Sequence, residues 1–210
     1  MAHIVLLGDS IFDNKAYVGG EPDVVAHLRT MIPPDWTATL SAVDGSLVEN
    51  VGSQLASSPE TATHLVVSTG GNNALMNADV LNFTVNSSAE VFRVLSNRIE
   101  TFEKQYRKML ETVSSRNLPI AVCTIYNPNF DEPALQKIAT AALAAFNDVI
   151  IRQAIMAGIP FLDLRLVCSE REDYANEIEP SSRGGQKIAA KILEAIETHD
   201  FLNKRTSVYF

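Results

Sequence analysis

The sequence is poor in several features that mark specialised classes of protein. It has two cysteines, Cys123 and Cys168, both within or next to apolar runs, which favours buried thiols over a disulfide framework. No apolar run approaches the roughly 18 residues of a membrane span, and the first residues lack the charged and apolar regions of a signal peptide. We therefore expect a cytoplasmic protein with no membrane partner.

Basic residues are scarce relative to acidic ones. The chain has 17 lysines and arginines against 25 acidic residues, which gives a net charge of −8, and it contains no basic run. This balance argues against a nucleic acid partner. Because 46% of the residues are hydrophobic and 20% charged, we expect residues 1–210 to form a single globular domain. Nothing in the sequence specifies an oligomeric state.

Five apolar runs alternate with longer amphipathic segments. The runs predict strands at Ile4–Leu7, Ala38–Val43, His64–Ser68, Pro119–Ile125 and Pro160–Leu164. The segments predict helices at Val24–Ile32, Leu47–Leu55, Ala89–Val113, Leu135–Ala157 and Gln186–Thr198. Strands separated by helices predict an α/β fold with a parallel sheet and helices on both faces. The turn after the first strand has neither a dinucleotide-binding nor a phosphate-loop motif.

Three turns follow the first three predicted strands and meet at one sheet edge. Gly8-Asp9-Ser10 offers a serine nucleophile, Asp44-Gly45-Ser46 an unhindered backbone N–H, and Gly70-Gly71-Asn72-Asn73 a side-chain amide. Acyl transfer needs such donors aimed at the developing oxyanion. Gly, Asn, Asp and Ser are also ordinary turn and cap residues, which explains each turn taken alone. Three such turns after successive strands favour a catalytic site.

These turns resemble the first three sequence blocks of the SGNH hydrolases, the GDSL esterase/lipase superfamily. The fourth block resembles Asn176–Gly185, so the resemblance spans nearly the whole chain. It implies a three-layer α/β/α, flavodoxin-like fold with a five-stranded parallel sheet. It also implies hydrolysis of a small-molecule ester through an acyl-enzyme, without a cofactor or metal. Ser10 is the implied nucleophile, and the Ser10 and Gly45 N–H groups with the Asn72 amide are the implied oxyanion hole.

The chain departs from this pattern where the family carries its general base. Glu179 stands in the place of the usual histidine, Asn176 in that of its aspartate partner, and Asn73 in that of the aspartate ending the third block. A serine hydroxyl is a weak nucleophile and needs a base within hydrogen-bond reach. None of the four histidines has a sequence reason to lie near Ser10.

Two interpretations of Glu179 stay open. Burial could raise its pKa towards neutrality and make it the base. Alternatively, it belongs to an ordinary helix entry capped by Ser181 or Ser182, where the helix dipole would hold its pKa low. Asp163, at the end of the fifth strand, is either a second carboxylate of the site or a turn residue. The acidic residues between Glu170 and Glu179 are expected to form a solvated loop.

Two functional hypotheses follow from these alternatives. The first is an esterase acting on small acyl or acetyl esters, with Ser10, Gly45, Asn72 and Glu179 as its site. The second is a catalytically impaired hydrolase that binds an ester or another small molecule. In both, pocket walls come from residues 74–86 and 126–132, and Leu75, Met76, Val80, Leu81 and Phe83 form either a lid or a buried connection.

Overall fold

The computed structural model describes residues 1–210 and contains six strands and seven α-helices. The strands are β1 His3–Gly8, β2 Thr37–Leu40, β3 His64–Ser68, β4 Ile120–Cys123, β5 Phe161–Leu162 and β6 Val208–Tyr209. The helices are α1 Val24–Met31, α2 Val51–Ala56, α3 Gly71–Met76, α4 Ser88–Ser114, α5 Pro133–Ala157, α6 Leu164–Val167 and α7 Ser182–Thr198. Short 3-10 helices lie at Val48–Asn50, Ala78–Asn82 and Arg171–Asp173.

All six strands form one sheet in the order β2-β1-β3-β4-β5-β6, and every neighbouring pair is parallel. Parallel strands end at the same edge, so the turns after β1, β2 and β3 come together as the sequence predicts. The sheet has six strands rather than five. The extra strand, β6, pairs with β5 near the end of the chain, where we predicted none.

Helices cover both faces of the sheet because successive side chains of each strand point to opposite sides. Ile4 and Leu6 of β1 face a core that includes α1, α6 and α7. Val5 and Leu7 face a second core that includes α2, α4 and α5. The predicted three-layer α/β/α architecture is therefore confirmed, and both faces of β1 are fully buried.

The long helix α5 has clear boundary signals. Glu132 caps its first turn, Pro133 opens it, and Gly158 ends it in the left-handed conformation with φ 66°. By length and composition, α5 is apolar enough to cross a membrane, with a mean hydropathy of 1.3. Core helices of globular proteins meet the same criterion. Phe146, Val149 and other side chains of its second half lie in the core beside the sheet.

Candidate active site

Ser10 lies in a turn that the end of β1 fixes in place. Gly8 adopts φ 130°, and a Cβ there would lie 1.7 Å from the Ser68 carbonyl oxygen, so only glycine fits. The Gln54 side chain holds Gly8 from α2, since its amide both accepts from the Gly8 N–H and donates to the Gly8 carbonyl, each at 2.8 Å. The Phe12 N–H then donates to the Asp9 carbonyl at 3.1 Å and closes the turn.

The Ser10 hydroxyl donates a hydrogen bond to Glu179 Oε1 at 3.0 Å. Both side chains are buried, and the other carboxylate oxygen of Glu179, Oε2, is buried without a partner. The loop before α7 holds Glu179 through its backbone, because its N–H donates to Asn176 Oδ1 at 2.9 Å. Ser181 caps α7 by accepting from the Gly184 N–H at 3.2 Å. The helix cap and the serine–glutamate contact therefore exist together.

Burial makes both carboxyl groups beside Ser10 weak acids. Burial is the main reason that the pKa of Glu179 rises from 4.5 to about 7. The hydrogen bond from Ser10 lowers this pKa, and the negative charge on Asp44 raises it further. Burial also raises the pKa of Asp9 from 3.8 to about 7, against a hydrogen bond from the Ile11 N–H. The raised pKa favours the interpretation in which Glu179 can act as a base.

Three hydrogen-bond donors near Ser10 are free to bind a ligand. The N–H groups of Ser10 and Gly45 donate to no group within the protein. One amide hydrogen of Asn72 donates to the Ser46 carbonyl at 2.9 Å, which fixes the side chain and leaves its second hydrogen free. Gly45 is exposed, with φ 76°, in a turn that the Val43 N–H joins to the Gly8 carbonyl at 3.1 Å. Backbone N–H groups and side-chain amides are the kinds of donor that oxyanion holes use.

A cavity of about 180 Å³ opens beside Ser10. Of its 25 lining residues 16 are hydrophobic, and they include Ser10, Asn72 and Glu179 but not Gly45. The segment after β3 contributes Leu75 and Leu81, while α4 and α5 contribute the residues Leu95, Leu135, Ala139, Ala142, Leu143 and Phe146. No lysine, arginine or histidine lines the cavity. It can therefore hold an apolar group next to the Ser10 hydroxyl.

The family model for GDSL-like lipases and acylhydrolases matches residues 6–187. This chain belongs to the GDSL-like lipase/acylhydrolase family. A search of curated proteins by sequence found no match.

Solved structures of lipases and of an esterase share the fold. A GDSL-like lipase from Parabacteroides merdae has a TM-score of 0.70 at 15% identity, over 93% of this chain and 95% of that one. The extracellular lipase of Streptomyces rimosus has a TM-score of 0.67 at 14% identity, over 93% and 99%. An acetyl xylan esterase has a TM-score of 0.69 at 13% identity, over 92% and 99%. These likenesses show a shared fold, and the family match supports an ester hydrolase.

This GDSL-like hydrolase has no histidine at its site. None of the four histidines lines the cavity. His3 and His64 begin β1 and β3 at the opposite edge of the sheet, where their rings bond to threonine hydroxyls. His27 bonds to the Ser182 hydroxyl at 2.9 Å. His199 follows α7 and packs edge-on against the rings of Phe201 and Tyr209. Glu179 is therefore the titratable group that contacts Ser10.

Other polar residues that the sequence analysis singled out have structural roles. Asn73 Oδ1 accepts from the Val48 N–H at 3.0 Å and ties α3 to the segment after β2. Asp163 caps α6 and pairs with Arg165 at 2.5 Å, so it is not a second carboxylate of the site. Asp173 is fully buried and pairs with Lys187 at 2.8 Å. The expectation that all the acidic residues of this loop are solvated is therefore wrong for Asp173.

Sequence reasoning missed part of the cavity. The predicted segments 74–86 and 126–132 do supply wall residues, but α4 and α5 supply the others. The sequence feature that could have indicated the α5 wall is the first half of this helix, which has more apolar residues than one buried face can accommodate. The same half leaves Leu135 and Ile138 partly exposed. No group of three or more histidine, cysteine or acidic side chains is placed to hold a metal ion.

Proposed function

We propose that this chain is a serine esterase that hydrolyses small acyl or acetyl esters through an acyl-enzyme at Ser10, with Glu179 as its base. The observation that carries the proposal is the 3.0 Å hydrogen bond from Ser10 to Glu179 inside a largely apolar cavity. A carboxylate whose pKa lies near 7 is a suitable base for proton transfer at neutral pH. Family membership supports ester hydrolysis independently.

In the first half-reaction, Ser10 Oγ attacks the ester carbonyl while Glu179 takes the hydroxyl proton. The free donors of Ser10, Gly45 and Asn72 stabilise the negative charge that develops on the carbonyl oxygen. The tetrahedral intermediate then collapses, and the bond to the alcohol oxygen breaks. Glu179 returns the proton to that oxygen, so the alcohol leaves neutral and the acyl group stays on Ser10.

In the second half-reaction, water attacks the acyl group and gives a proton to Glu179. The second intermediate expels Ser10 Oγ, which regains its proton, and the carboxylic acid departs. Oε1 of Glu179, the oxygen that contacts Ser10, is placed to take the water proton, because the water attacks the acyl carbon bound to Ser10 Oγ.

Hydrolysis of p-nitrophenyl acetate across pH tests the proposal. Ser10→Ala should abolish turnover, and Glu179→Gln should lower kcat by about 10²- to 10⁴-fold, the usual contribution of a general base. The exposed neighbour Glu177 offers a matched control, since Glu177→Gln removes the same charge outside the cavity and should retain the wild-type rate. The wild-type rate should rise with pH through about 7, as Glu179 ionises. Equal rates in wild type and Ser10→Ala would refute the proposal.

The missing histidine favours a second candidate, a binding protein that keeps the pocket without turnover. Glu179→His separates the two. In an impaired hydrolase this change should create turnover that the wild type lacks. In a glutamate-based esterase it should lower the rate or move its pH profile, because the imidazole would lack the orienting partner that a histidine base needs.

A further inference from the structure

The carboxylate of Glu179 has only one hydrogen bond within the protein. Oε1 accepts from the Ser10 hydroxyl, and Oε2 is buried without a partner. No further side chain orients this carboxylate in the way that an aspartate orients the imidazole of a serine triad. A general base must nevertheless lie within hydrogen-bond reach of the proton that it takes. The position of Glu179 therefore depends on how its backbone is held.

The loop that carries Glu179 is exposed just before that residue, at Ala175, Asn176 and Glu177. Bonds inside the loop close it on itself. The Ala175 N–H donates to the Glu179 carbonyl at 2.8 Å, and the Glu179 N–H donates to Asn176 Oδ1 at 2.9 Å. Such bonds fix the shape of the loop but not its place relative to the sheet. Contacts with other elements must therefore bring Glu179 to Ser10.

Tyr126, which follows β4, holds the loop on one side of Glu179. Its hydroxyl donates to the carbonyl of Ile178, the residue before Glu179, at 2.6 Å. The Tyr126 side chain is buried and lines the cavity. The Asn129 N–H, from the same segment after β4, donates to the Glu177 carbonyl at 2.8 Å. These bonds tie the loop to the end of β4.

Asn14 holds the loop on the other side of Glu179. Its side-chain amide donates to the carbonyl of Pro180, the residue after Glu179, at 3.1 Å. The same amide accepts from the Val24 N–H, at the start of α1, at 3.1 Å. Asn14 is fully buried and lies in the β1–α1 loop, shortly after Ser10. One loop therefore carries both Ser10 and an anchor of Glu179, which fixes the separation of the two side chains.

We propose that Tyr126 and Asn14 are positioning residues, which hold Glu179 in place through the two carbonyls that flank it in the chain. This inference rests on the proposed esterase function. The two donors follow different strands, β4 and β1, and so they tie the loop to the sheet edge at two separate points. Loss of either donor leaves a carbonyl without its partner and frees the loop to move. The carboxylate should then move away from the Ser10 hydroxyl.

Tyr126→Phe tests the inference with a small change, because it removes the hydroxyl and keeps the ring that lines the cavity. We expect kcat for p-nitrophenyl acetate to fall about tenfold with KM nearly unchanged, since a misplacement of about 1 Å can cost up to about 10²-fold in rate. Tyr174→Phe is the matched control. The Tyr174 ring packs edge-on against that of Tyr126, and its hydroxyl donates to the carbonyls of Asn127 and Cys168, outside residues 177–180. It should retain the wild-type kcat, and an equal fall in both variants would overturn the proposal.

A double variant shows whether Tyr126 acts through Glu179. If the hydroxyl only positions the base, Tyr126→Phe should have no further effect on kcat in the Glu179→Gln background, so the two losses should not add. A hydroxyl with a separate role in folding or substrate binding would lower the rate by the same factor in both backgrounds. That result would overturn the positioning role.

Asn14→Asp tests the second anchor. An ionised aspartate can still accept from the Val24 N–H, but it cannot donate to the Pro180 carbonyl. At pH 8 we expect kcat to fall about tenfold or more, and this fall should also vanish in the Glu179→Gln background. A wild-type kcat in the folded variant would overturn the role of Asn14. If the variant does not fold, Tyr126→Phe and its control decide the proposal.

The pKa of Glu179 separates this inference from the esterase proposal, because NMR titration of the side-chain carboxyl carbon measures it without turnover. A loosened loop admits water, so Tyr126→Phe should lower this pKa from about 7 towards 4.5, whereas Tyr174→Phe should not. The acidic groups that interact with Glu179, which are Asp9 and Asp44, are unchanged in both variants. A lowered pKa in a protein that hydrolyses no ester would refute the esterase function and support the anchors. Turnover that depends on Glu179, with a wild-type pKa and kcat in Tyr126→Phe, would support the esterase and overturn the anchors.

Discussion

At the scale of single residues, Glu179 is a carboxylate whose surroundings make it a stronger base than it would be in water. A carboxylate is normally too weak a base to activate a serine, because its proton affinity is low. Burial of Glu179 raises the pKa to about 7, close to that of the imidazole the family normally uses. The environment, rather than the residue type, thus supplies the basicity.

This arrangement predicts that stability falls as pH rises. The folded protein keeps a proton on Glu179 up to a pKa of about 7, whereas the unfolded chain releases it near 4.5. The stabilisation is therefore fully present below about 4.5 and is lost as pH rises through about 7, at a cost of about 3 kcal/mol. Urea unfolding at pH 5 and pH 8 measures this loss.

Glu179→Gln isolates the contribution of Glu179 to that pH dependence. The variant should show a shallower decline and should be more stable than the wild type at pH 8. A decline will remain, because the pKa of buried Asp9 is raised in the same direction. Identical pH profiles for the wild type and this variant would contradict the raised pKa of Glu179.

At the scale of elements, the close contact of β1 with β3 fixes the turn that carries Ser10. Gly8→Ala would force a Cβ against the Ser68 carbonyl, so β1 must shift away from β3. We expect a loss of about 2–4 kcal/mol in the free energy of unfolding, in the range of substitutions that strain the backbone. Esterase activity should fall with it, because Ser10 moves.

Gly52→Ala is the matched control for this prediction. Gly52 lies within α2, and an added Cβ would meet its nearest neighbour, Thr112 Cγ2, at an ordinary 3.7 Å. Alanine favours helices over glycine by up to about 1 kcal/mol, so this variant should be as stable as the wild type or more so. Thermal unfolding of both variants checks the contrast, and equal effects would contradict the steric argument.

Elements with strong periodicity were predictable from the sequence, and short ones were not. The predicted His64–Ser68 matches β3, and the predicted Ala89–Val113 falls within one residue of each end of α4. The two-residue strand β6 depends on pairing with β5, and so local pattern does not specify it. The helix α3 was hidden by Gly70-Gly71-Asn72-Asn73, whose residues are typical of turns.

The site was partly predictable for a related reason. The turns after β1 and β3 converge because parallel topology brings those strand ends together, so Ser10 and Asn72 line one cavity. Glu179, in the loop before α7, lines the same cavity. The exclusion of water around Glu179, and hence its pKa, depends on packing of side chains from distant parts of the chain. Neither property has a local pattern, which is why the sequence left both interpretations of Glu179 open.

At the scale of the whole molecule, the cavity between α3, α4 and α5 sets the room for the acyl group. Ala142 of α5 lines it, whereas its neighbour Ala141 is exposed. Ala142→Phe should reduce the ratio of kcat/KM for p-nitrophenyl hexanoate to kcat/KM for p-nitrophenyl acetate by about tenfold. The added ring would fill room that the longer acyl chain needs, and a steric conflict of this kind costs about 1–3 kcal/mol. Ala141→Phe should leave the ratio unchanged, and a similar loss in both variants would argue against this wall.

The hydrogen bond from Ser10 to Glu179 joins residues 169 positions apart in the chain. The first belongs to the turn after β1 and the second to the entry of α7, so the pair forms only when these distant segments meet. Contacts of such long sequence separation form late, since they close a large loop. The recovery of hydrolysis during refolding should therefore report the final assembly of the domain. It should be slower than the recovery of the far-UV circular dichroism signal, which reports helix formation.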